Sequence, residues 1–228
     1  MPIANLTRDE FVERDELVMK YAYATQNNLG RLCEEQVYEN ELADRLRAAG
    51  MKNVMTQVPL HVTHGPFTKE YRLDLVANDA VYELKAVEHF VPAHDAQVFN
   101  YAMCLGIRCI KLLNFSDTKV KGKLRIAPIT TAQRYDCEIT TRNWQPLSPK
   151  CQLLKDHLTN VVEDLGGFLE ASLYQEVLSF ILTAPETRLN VTSNGIILGT
   201  HSLPLLAEHT AFLVSAYTDY IEHRRPHL

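Results

Sequence analysis

Three ionisable residues lie inside a stretch that otherwise predicts two short apolar strands. The stretch is YRLDLVANDAVYELKAV, residues 71–87, and the three residues are Asp74, Glu83 and Lys85. A two-residue hairpin turn at 78–79, Asn-Asp, suits both residue types, because each tolerates a left-handed backbone. With that turn, Asp74 lies directly opposite Glu83. The two-residue period of a strand then places Lys85 on the same face.

Two carboxylates that face each other on neighbouring strands repel, and burial would raise the pKa of one of them. A hard divalent cation between them removes this repulsion, and Mg²⁺ prefers such oxygen ligands. The alternative is a solvated sheet face, on which Arg72 and Lys85 neutralise the two acids. This stretch alone leaves both interpretations open.

Further polar residues occur at helical spacing on either side of this hairpin. Apolar residues at steps of three and four predict a helix over 31–49, and Glu35 lies on its inward stripe. A second helix is predicted over 94–105. There Gln97 and Tyr101 are four residues apart and therefore share one helix face.

The order of these residues resembles a known family. A helical Glu, a strand Asp, a Glu-x-Lys on the next strand and a helical Gln-x-x-x-Tyr resemble the PD-(D/E)XK nuclease superfamily, in particular its RecB-like members. The blocks LGRLCEEQVYENEL, QVPL, YRLDLV, YELKAV and AQVFNYAMCLG resemble its GxxExxY group. Together they span roughly residues 25–115. Leu32 stands where the GxxExxY motif begins with Gly, and Leu73 where Pro often precedes the Asp.

This resemblance implies a fold, a cofactor and roles for the residues. The fold is a mixed α/β restriction-endonuclease-like core over residues 1–147, with a central mixed sheet flanked by helices. The cofactor is Mg²⁺, with Mn²⁺ as an alternative. The implied metal ligands are Asp74, Glu83 and the Leu84 carbonyl, with Glu35 as an additional ligand or a group that orients water. Lys85 joins the three acids as a catalytic residue, and Gln97 and Tyr101 brace the site and contact substrate.

The implied activity is Mg²⁺-dependent hydrolysis of phosphodiester bonds in nucleic acid, with DNA favoured over RNA. The net charge of -5 argues against a protein that coats nucleic acid through bulk positive charge. Phosphate contacts would therefore be local, and Lys119, Lys121 and Lys123 could form a track for them. A solvated hairpin is the alternative for these lysines.

Two other functions stay open on the sequence. A protein could retain the nuclease fold without turnover, as a nucleic-acid or protein interaction module. A zinc site is the other alternative. It would use His61, His64, His89 or His94, although no cysteine pair assists them.

The pattern changes near residue 148, where a smaller C-terminal α+β region is predicted over 148–228. It comprises helices at about 150–165 and 168–183 and two or three strands. Its segment GGFLEASLYQEVL (166–178) resembles GRLCEEQVYENEL (30–42). The region is therefore interpreted as a degenerate repeat or an interaction region, through which homo-oligomers or a protein partner could form.

The remaining sequence features predict a cytoplasmic protein. The five cysteines are odd in number and show no Cys-x-x-Cys spacing, which favours free thiols in a reducing compartment. The N-terminus is too acidic for a signal or transit peptide, and no apolar run approaches ~18 residues.

Overall fold

A computed structural model describes residues 3–216 of the chain. It divides after Asp136 into two compact units. The sequence placed this boundary between residues 147 and 148. Residues of the intervening stretch, Ile139, Trp144 and Leu147, line a cavity together with Leu154 of the following helix, so this stretch packs within the second unit.

The first unit contains four helices and five strands within its described residues. In chain order they are α1 (Arg8–Leu29), α2 (Glu35–Ala48), β1 (Val54–His64), β2 (Phe67–Ala77), β3 (Ala80–Lys85), α3 (Pro92–Leu105), β4 (Cys109–Asn114), β5 (Lys121–Ile126) and α4 (Thr131–Tyr135). The strands form one sheet in the order β1-β2-β3-β4-β5.

The predicted turn sets the register at the centre of this sheet. Asn78 and Asp79 have φ values of 48° and 69°, as a two-residue hairpin turn requires. Ala77 therefore pairs with Ala80, and the antiparallel ladder continues to Leu75. β3 then pairs with β4 in parallel, because α3 carries the chain back over the sheet between them.

Helices cover both faces of the sheet. Residues of α1 and α2, such as Phe11 and Tyr38, share an apolar core with Tyr82 and Leu84 of β3. On the other face, Asp95 of α3 contacts Arg125 of β5. β3 and β4 are therefore almost wholly buried, as expected for strands enclosed on both sides. This architecture confirms the predicted mixed α/β fold with a mixed central sheet.

The second unit is described to residue 216 and is smaller. It contains α5 (Pro149–Leu165), α6 (Ala171–Ile181), β6 (Glu186–Ser193), β7 (Ile196–Ala207) and β8 (Thr210–Ala211). The strands pair as an antiparallel meander in chain order. The last predicted strand extended to residue 217, which lies outside the described residues.

Several predicted boundaries are wrong by a few residues. The sequence predicts a first helix over 8–24, which continues to Leu29, where Gly30 with φ 77° ends it. α2 begins at Glu35 rather than at Arg31, so Leu32, which the periodicity places on the inward stripe, is fully exposed. The sequence predicts a turn at Gly122, which lies within β5 instead. The short helix α4, capped by Thr130 and Gln133, was not predicted.

Candidate active site

The β2–β3 ladder ends where the candidate site begins. Its last pair is Leu75 with Tyr82, so Asp74 and Glu83 are not a paired position of the ladder. The Leu84 N–H instead donates to Asp74 Oδ2 at 2.7 Å, and the carboxylate replaces a backbone acceptor. The predicted cross-strand pairing of Asp74 with Glu83 is therefore absent from the ladder, and the Asp74 side chain bonds to the backbone of β3 instead.

Glu83 lies almost wholly inside the protein, with only 3% of its side chain exposed. Its Oε1 accepts a hydrogen bond of 2.7 Å from Lys85 Nζ, whereas its Oε2 is buried without a hydrogen-bond partner. Burial raises the pKa of Glu83 to about 8, and the nearby charge of Asp74 adds to this effect. Burial also raises the pKa of Asp74, although the Leu84 N–H and Lys85 oppose it.

Lys85 is the cation of this cluster. Its Nζ lies 2.7 Å from Glu83 Oε1 and 3.9 Å from Glu35 Oε2, and its side chain is 12% exposed. Burial alone would lower its pKa, but the surrounding carboxylates outweigh burial and raise it. Lys85 is therefore an ammonium at neutral pH. Of the alternative, a solvated sheet face neutralised by Arg72 and Lys85, only the Lys85–Glu83 ion pair is present: Glu83 is buried rather than solvated, and Arg72 pairs with Glu70.

Glu35 reaches the site from the first turn of α2. Its Oε1 accepts a 3.0 Å hydrogen bond from the Ala86 N–H, just after β3 ends. Its side chain is 43% exposed, so one side of this carboxylate faces solvent. The predicted inward position of Glu35 is thus half-buried, at the edge of the site next to Lys85.

Asn114 holds the chain where it leaves β3. It pairs with Lys85 across the parallel strands and is buried. Its side chain accepts from the Val87 and Ser116 N–H groups at 3.2 and 3.1 Å, and donates to the Val87 carbonyl at 2.7 Å. Three backbone groups next to the Glu-x-Lys strand therefore depend on one amide.

Replacement of Asn114 with alanine is expected to destabilise the protein by about 2–4 kcal/mol, because it leaves these three backbone groups without their partner. Chemical denaturation measures this cost. The exposed Asn27 is the matched control, and Asn27→Ala is expected to change stability by no more than about 0.5 kcal/mol. Equal stability of the two variants would contradict the role assigned to Asn114.

The predicted Gln97–Tyr101 pair exists and lies near the acids. Gln97 Nε2 donates to the Tyr101 hydroxyl at 2.9 Å, and the Tyr101 ring packs edge-on against Tyr71 at 5.6 Å. Burial raises the pKa of Tyr101, and the charges of Glu83 and Asp74 add to the shift. α3 therefore brings this pair to the same face of the sheet as the acids.

The three lysines of the proposed phosphate track differ in their surroundings. Lys121 bridges to Asp117 at 2.5 Å, and Lys123 lies 3.2 Å from Asp95. Lys119 precedes β5 and is exposed. Two of the three charges are thus already paired with carboxylates on the protein, and a role in phosphate binding stays a prediction.

The residues present fit a hard divalent cation. The Oε2 atom of Glu83 is buried and has no hydrogen-bond partner in the protein, which leaves it available to a cation. The Asp74 carboxylate lies beside it. Within residues 3–216, no group of three His, Cys, Asp or Glu side chains is arranged to hold a metal ion. The candidate donors are therefore two carboxylates, to which the Leu84 carbonyl is predicted to add. Glu35 as a further ligand stays a prediction.

Two histidines of the zinc alternative make other contacts. His61 contacts Glu70 at 3.1 Å on an exposed part of the hairpin, and His94 accepts a hydrogen bond from the Val91 N–H at the start of α3. The five cysteines are free, as predicted.

Sequence reasoning missed two polar residues beside the acids. Glu39, one turn after Glu35 on α2, is buried, and Gln57 of β1 donates to it at 2.5 Å. Together with Glu35 and Asp74 they line a groove of about 520 Å³. A second acid on the inward stripe of α2 was the available signal for Glu39. Nothing in the sequence indicated where the Gln57 backbone would lie.

The fold and this site define an α/β domain of the nuclease type. A family model described as the PD-(D/E)XK nuclease superfamily matches residues 13–126, half of the 228-residue chain. The chain therefore belongs to the PD-(D/E)XK nuclease superfamily. No curated protein and no solved structure matches the chain at the significance required. Membership of the GxxExxY group stays a prediction.

Two general properties accompany this membership. Nucleases of the superfamily generally use divalent metal ions, and the superfamily implies an interaction with nucleic acid. In the part of the chain that the structure describes, no helix has the length and apolar character needed to cross a membrane.

Proposed function

We propose that this protein hydrolyses phosphodiester bonds of nucleic acid in a Mg²⁺-dependent reaction, with DNA as the favoured substrate. The observation that carries the proposal is the buried Glu83 carboxylate, which has one oxygen on the Lys85 ammonium and the other without a partner. Burying an acid in this way is costly unless a cation completes its surroundings. Stability alone would therefore not favour a buried acid at this position.

Asp74, Glu83 and the Leu84 carbonyl would hold the ion. A bound Mg²⁺ supplies a water of lowered pKa and offsets charge on the phosphate, which suits a protein of net charge -5. The Leu84 N–H fixes one oxygen of Asp74, so the carboxylate is oriented before any ion arrives. Preorganisation of this kind is what a charged site requires to act in the transition state.

Lys85 acts as a positive charge rather than as a general base. Its raised pKa keeps the amine protonated at neutral pH, so it can donate hydrogen bonds to an attacking water or a phosphate oxygen. Glu83 and Glu35 hold the ammonium between them at 2.7 and 3.9 Å. Glu35, half exposed, is placed to orient water at the open side of the site.

The Gln97–Tyr101 pair braces the site from α3. Tyr101 is buried and its hydroxyl is already fixed by Gln97, so the pair adds rigidity beside the acids. We propose that the amide and hydroxyl contact substrate when it is bound. Lys119, just before β5, and Lys121 and Lys123 within it would give further phosphate contacts.

Incubation with labelled single- and double-stranded DNA and RNA, in Mg²⁺, Mn²⁺ or EDTA, tests the proposal. Cleavage is expected with Mg²⁺ or Mn²⁺ and is expected to stop with EDTA. Glu83→Gln, which keeps the shape of the side chain, is the control against a contaminating nuclease and should be inactive. Binding of nucleic acid without any metal-dependent loss of substrate would instead identify a non-catalytic interaction module.

A further inference from the structure

A strained residue stands opposite Asp74 in the sheet. Thr56 pairs with Leu75 and Val58 pairs with Leu73, so Gln57 of β1 faces Asp74 of β2. Gln57 has a φ of 50°, in the left-handed region that a side chain inside a strand rarely adopts. Such a backbone is unfavourable and persists only when surrounding contacts enforce it.

The side chain of Gln57 is bound by α2. The Gln57 amide donates to Glu39 Oε2 at 2.5 Å, and the Gln36 amide donates to Glu39 Oε1 at 2.9 Å. Glu39 is 2% exposed, so it is a buried carboxylate that receives one amide on each oxygen. Gln36 lies on the same helix, whereas the bond to Gln57 joins α2 to the strand beside Asp74.

We propose that Glu39 and Gln57 are positioning residues for the metal site. The Glu39–Gln57 bond holds the β1 backbone in its strained form opposite Asp74, and so aims the Asp74 carboxylate at the ion. The bond also ties β1 to the helix that carries Glu35, so the positions of Glu35 and Asp74 both depend on one contact. This inference rests on the proposed function, because it concerns the metal that Asp74 would bind.

Three variants of unchanged net charge test the proposal, with Mn²⁺ binding measured by the paramagnetic resonance signal of the free ion. Gln57→Met removes the bond to β1 and is expected to lower Mn²⁺ affinity about 10- to 100-fold, as for other groups that orient a ligand. Gln36→Met removes the other bond to the same carboxylate and is expected to leave affinity within about twofold. The exchanged pair Glu39→Gln/Gln57→Glu keeps an amide-to-carboxylate bond and is expected to bind as the unaltered protein does.

These outcomes separate positioning from a structural role. A structural role predicts that Gln57→Met lowers the melting temperature but leaves Mn²⁺ affinity unchanged, and that result would overturn the proposal. Equal losses of affinity in the two methionine variants, or failure of the exchanged pair to bind, would also overturn it. If Gln57→Met does not fold, the exchanged pair decides alone. No Mn²⁺ binding by the unaltered protein would remove the proposed function, and this inference with it.

A separate observation concerns the second unit, whose elements follow the same order as the first half of the first unit. Two helices precede a three-stranded antiparallel meander in both cases: α1, α2, β1, β2 and β3 in one, and α5, α6, β6, β7 and β8 in the other. The first helix ends at a glycine of nearly equal φ, 77° at Gly30 and 74° at Gly166.

A tyrosine joins the two helices in the same way in each unit. The Tyr38 hydroxyl donates to the Gly30 carbonyl at 2.9 Å and accepts from the Cys33 N–H at 3.2 Å. In the second unit, the Tyr174 hydroxyl donates to the Gly166 carbonyl at 2.6 Å and accepts from the Leu169 N–H at 3.3 Å. The two bonds span eight and five residues in both units.

The second and third strands of each unit correspond in sequence as well, although β7 and β8 shift register between Leu205 and Ala207, so that Leu205 pairs with Ala211. RLDLVANDAVYELKA (72–86) aligns with SLPLLAEHTAFLVSA (202–216), and Ala77 pairs with Ala80 as Ala207 pairs with Thr210. In this alignment the positions of Asp74, Glu83 and Lys85 are occupied by Pro204, Leu213 and Ser215.

We infer that the second unit is a duplicate of the αα–βββ half of the nuclease domain that has kept the scaffold and lost the site. Chemical denaturation tests the shared scaffold. Tyr38→Phe and Tyr174→Phe each remove two hydrogen bonds and are each expected to lower the denaturant concentration at the unfolding midpoint, whereas the exposed control Tyr23→Phe is expected to leave it unchanged. A cost for Tyr38→Phe without one for Tyr174→Phe would overturn the equivalence. A stoichiometric Mn²⁺ site remaining in Asp74→Asn/Glu83→Gln would overturn the loss of the site.

Discussion

Replacement of Lys85 with methionine is expected to lower the rate of phosphodiester cleavage by about 100- to 1,000-fold, the usual cost of removing one preorganised charge from an active site. The Lys85 ammonium lies 2.7 Å from Glu83 and 3.9 Å from Glu35, so it is fixed before substrate binds. Methionine keeps most of the volume and removes the charge. Single-turnover cleavage of a labelled DNA in Mg²⁺ measures the effect on the chemical step.

Two measurements make this result specific to the site. Thermal unfolding of Lys85→Met should stay cooperative, because the aliphatic part of the side chain is retained. Lys52, an exposed lysine at the start of the first unit's sheet, is the matched control, and Lys52→Met should cleave at the unaltered rate. Full activity in Lys85→Met would contradict the assigned mechanism.

The central hairpin was predictable because its signals are local. Asn78 and Asp79 determine the turn, the turn determines the register, and the register places the acids near each other. The Gln97–Tyr101 hydrogen bond follows likewise from helical spacing within one element. These parts of the site depend on residues close together in the chain.

The rest depends on contacts between distant segments, which periodicity does not encode. Glu35 bonds the Ala86 N–H across 51 positions of sequence, and the Asp74 carboxylate ends the ladder by accepting from Leu84. Glu39 and Gln57 meet only because α2 packs over β1. The burial of β3 on both faces also depends on α3, so the sequence of the hairpin alone did not predict it.

Burial of Glu83 has a consequence for stability that is independent of catalysis. In the folded protein without metal its pKa is raised from 4.5 to about 8, chiefly by burial. The unfolded chain has the ordinary value, so folding takes up a proton between these pH values. This contribution to stability is fully present below the unfolded pKa and is lost as pH rises through the folded pKa. The metal-free protein should therefore become less stable from about pH 5 to pH 9.

Glu83→Gln removes this titration and is expected to stabilise the metal-free protein at pH 9 by about 2–4 kcal/mol relative to the unaltered protein, with little difference at pH 5. Chemical denaturation in EDTA across this range measures the difference, and Glu41→Gln, a partly buried acid on the surface of α2 paired with Arg45, is the control. If the difference in stability between Glu83→Gln and the unaltered protein does not grow with pH, the assignment of Glu83 as a buried, ionisable group is wrong. Saturating Mg²⁺ should reverse the order at pH 9, because a bound cation stabilises the ionised carboxylate of the unaltered protein and finds only an amide in the variant.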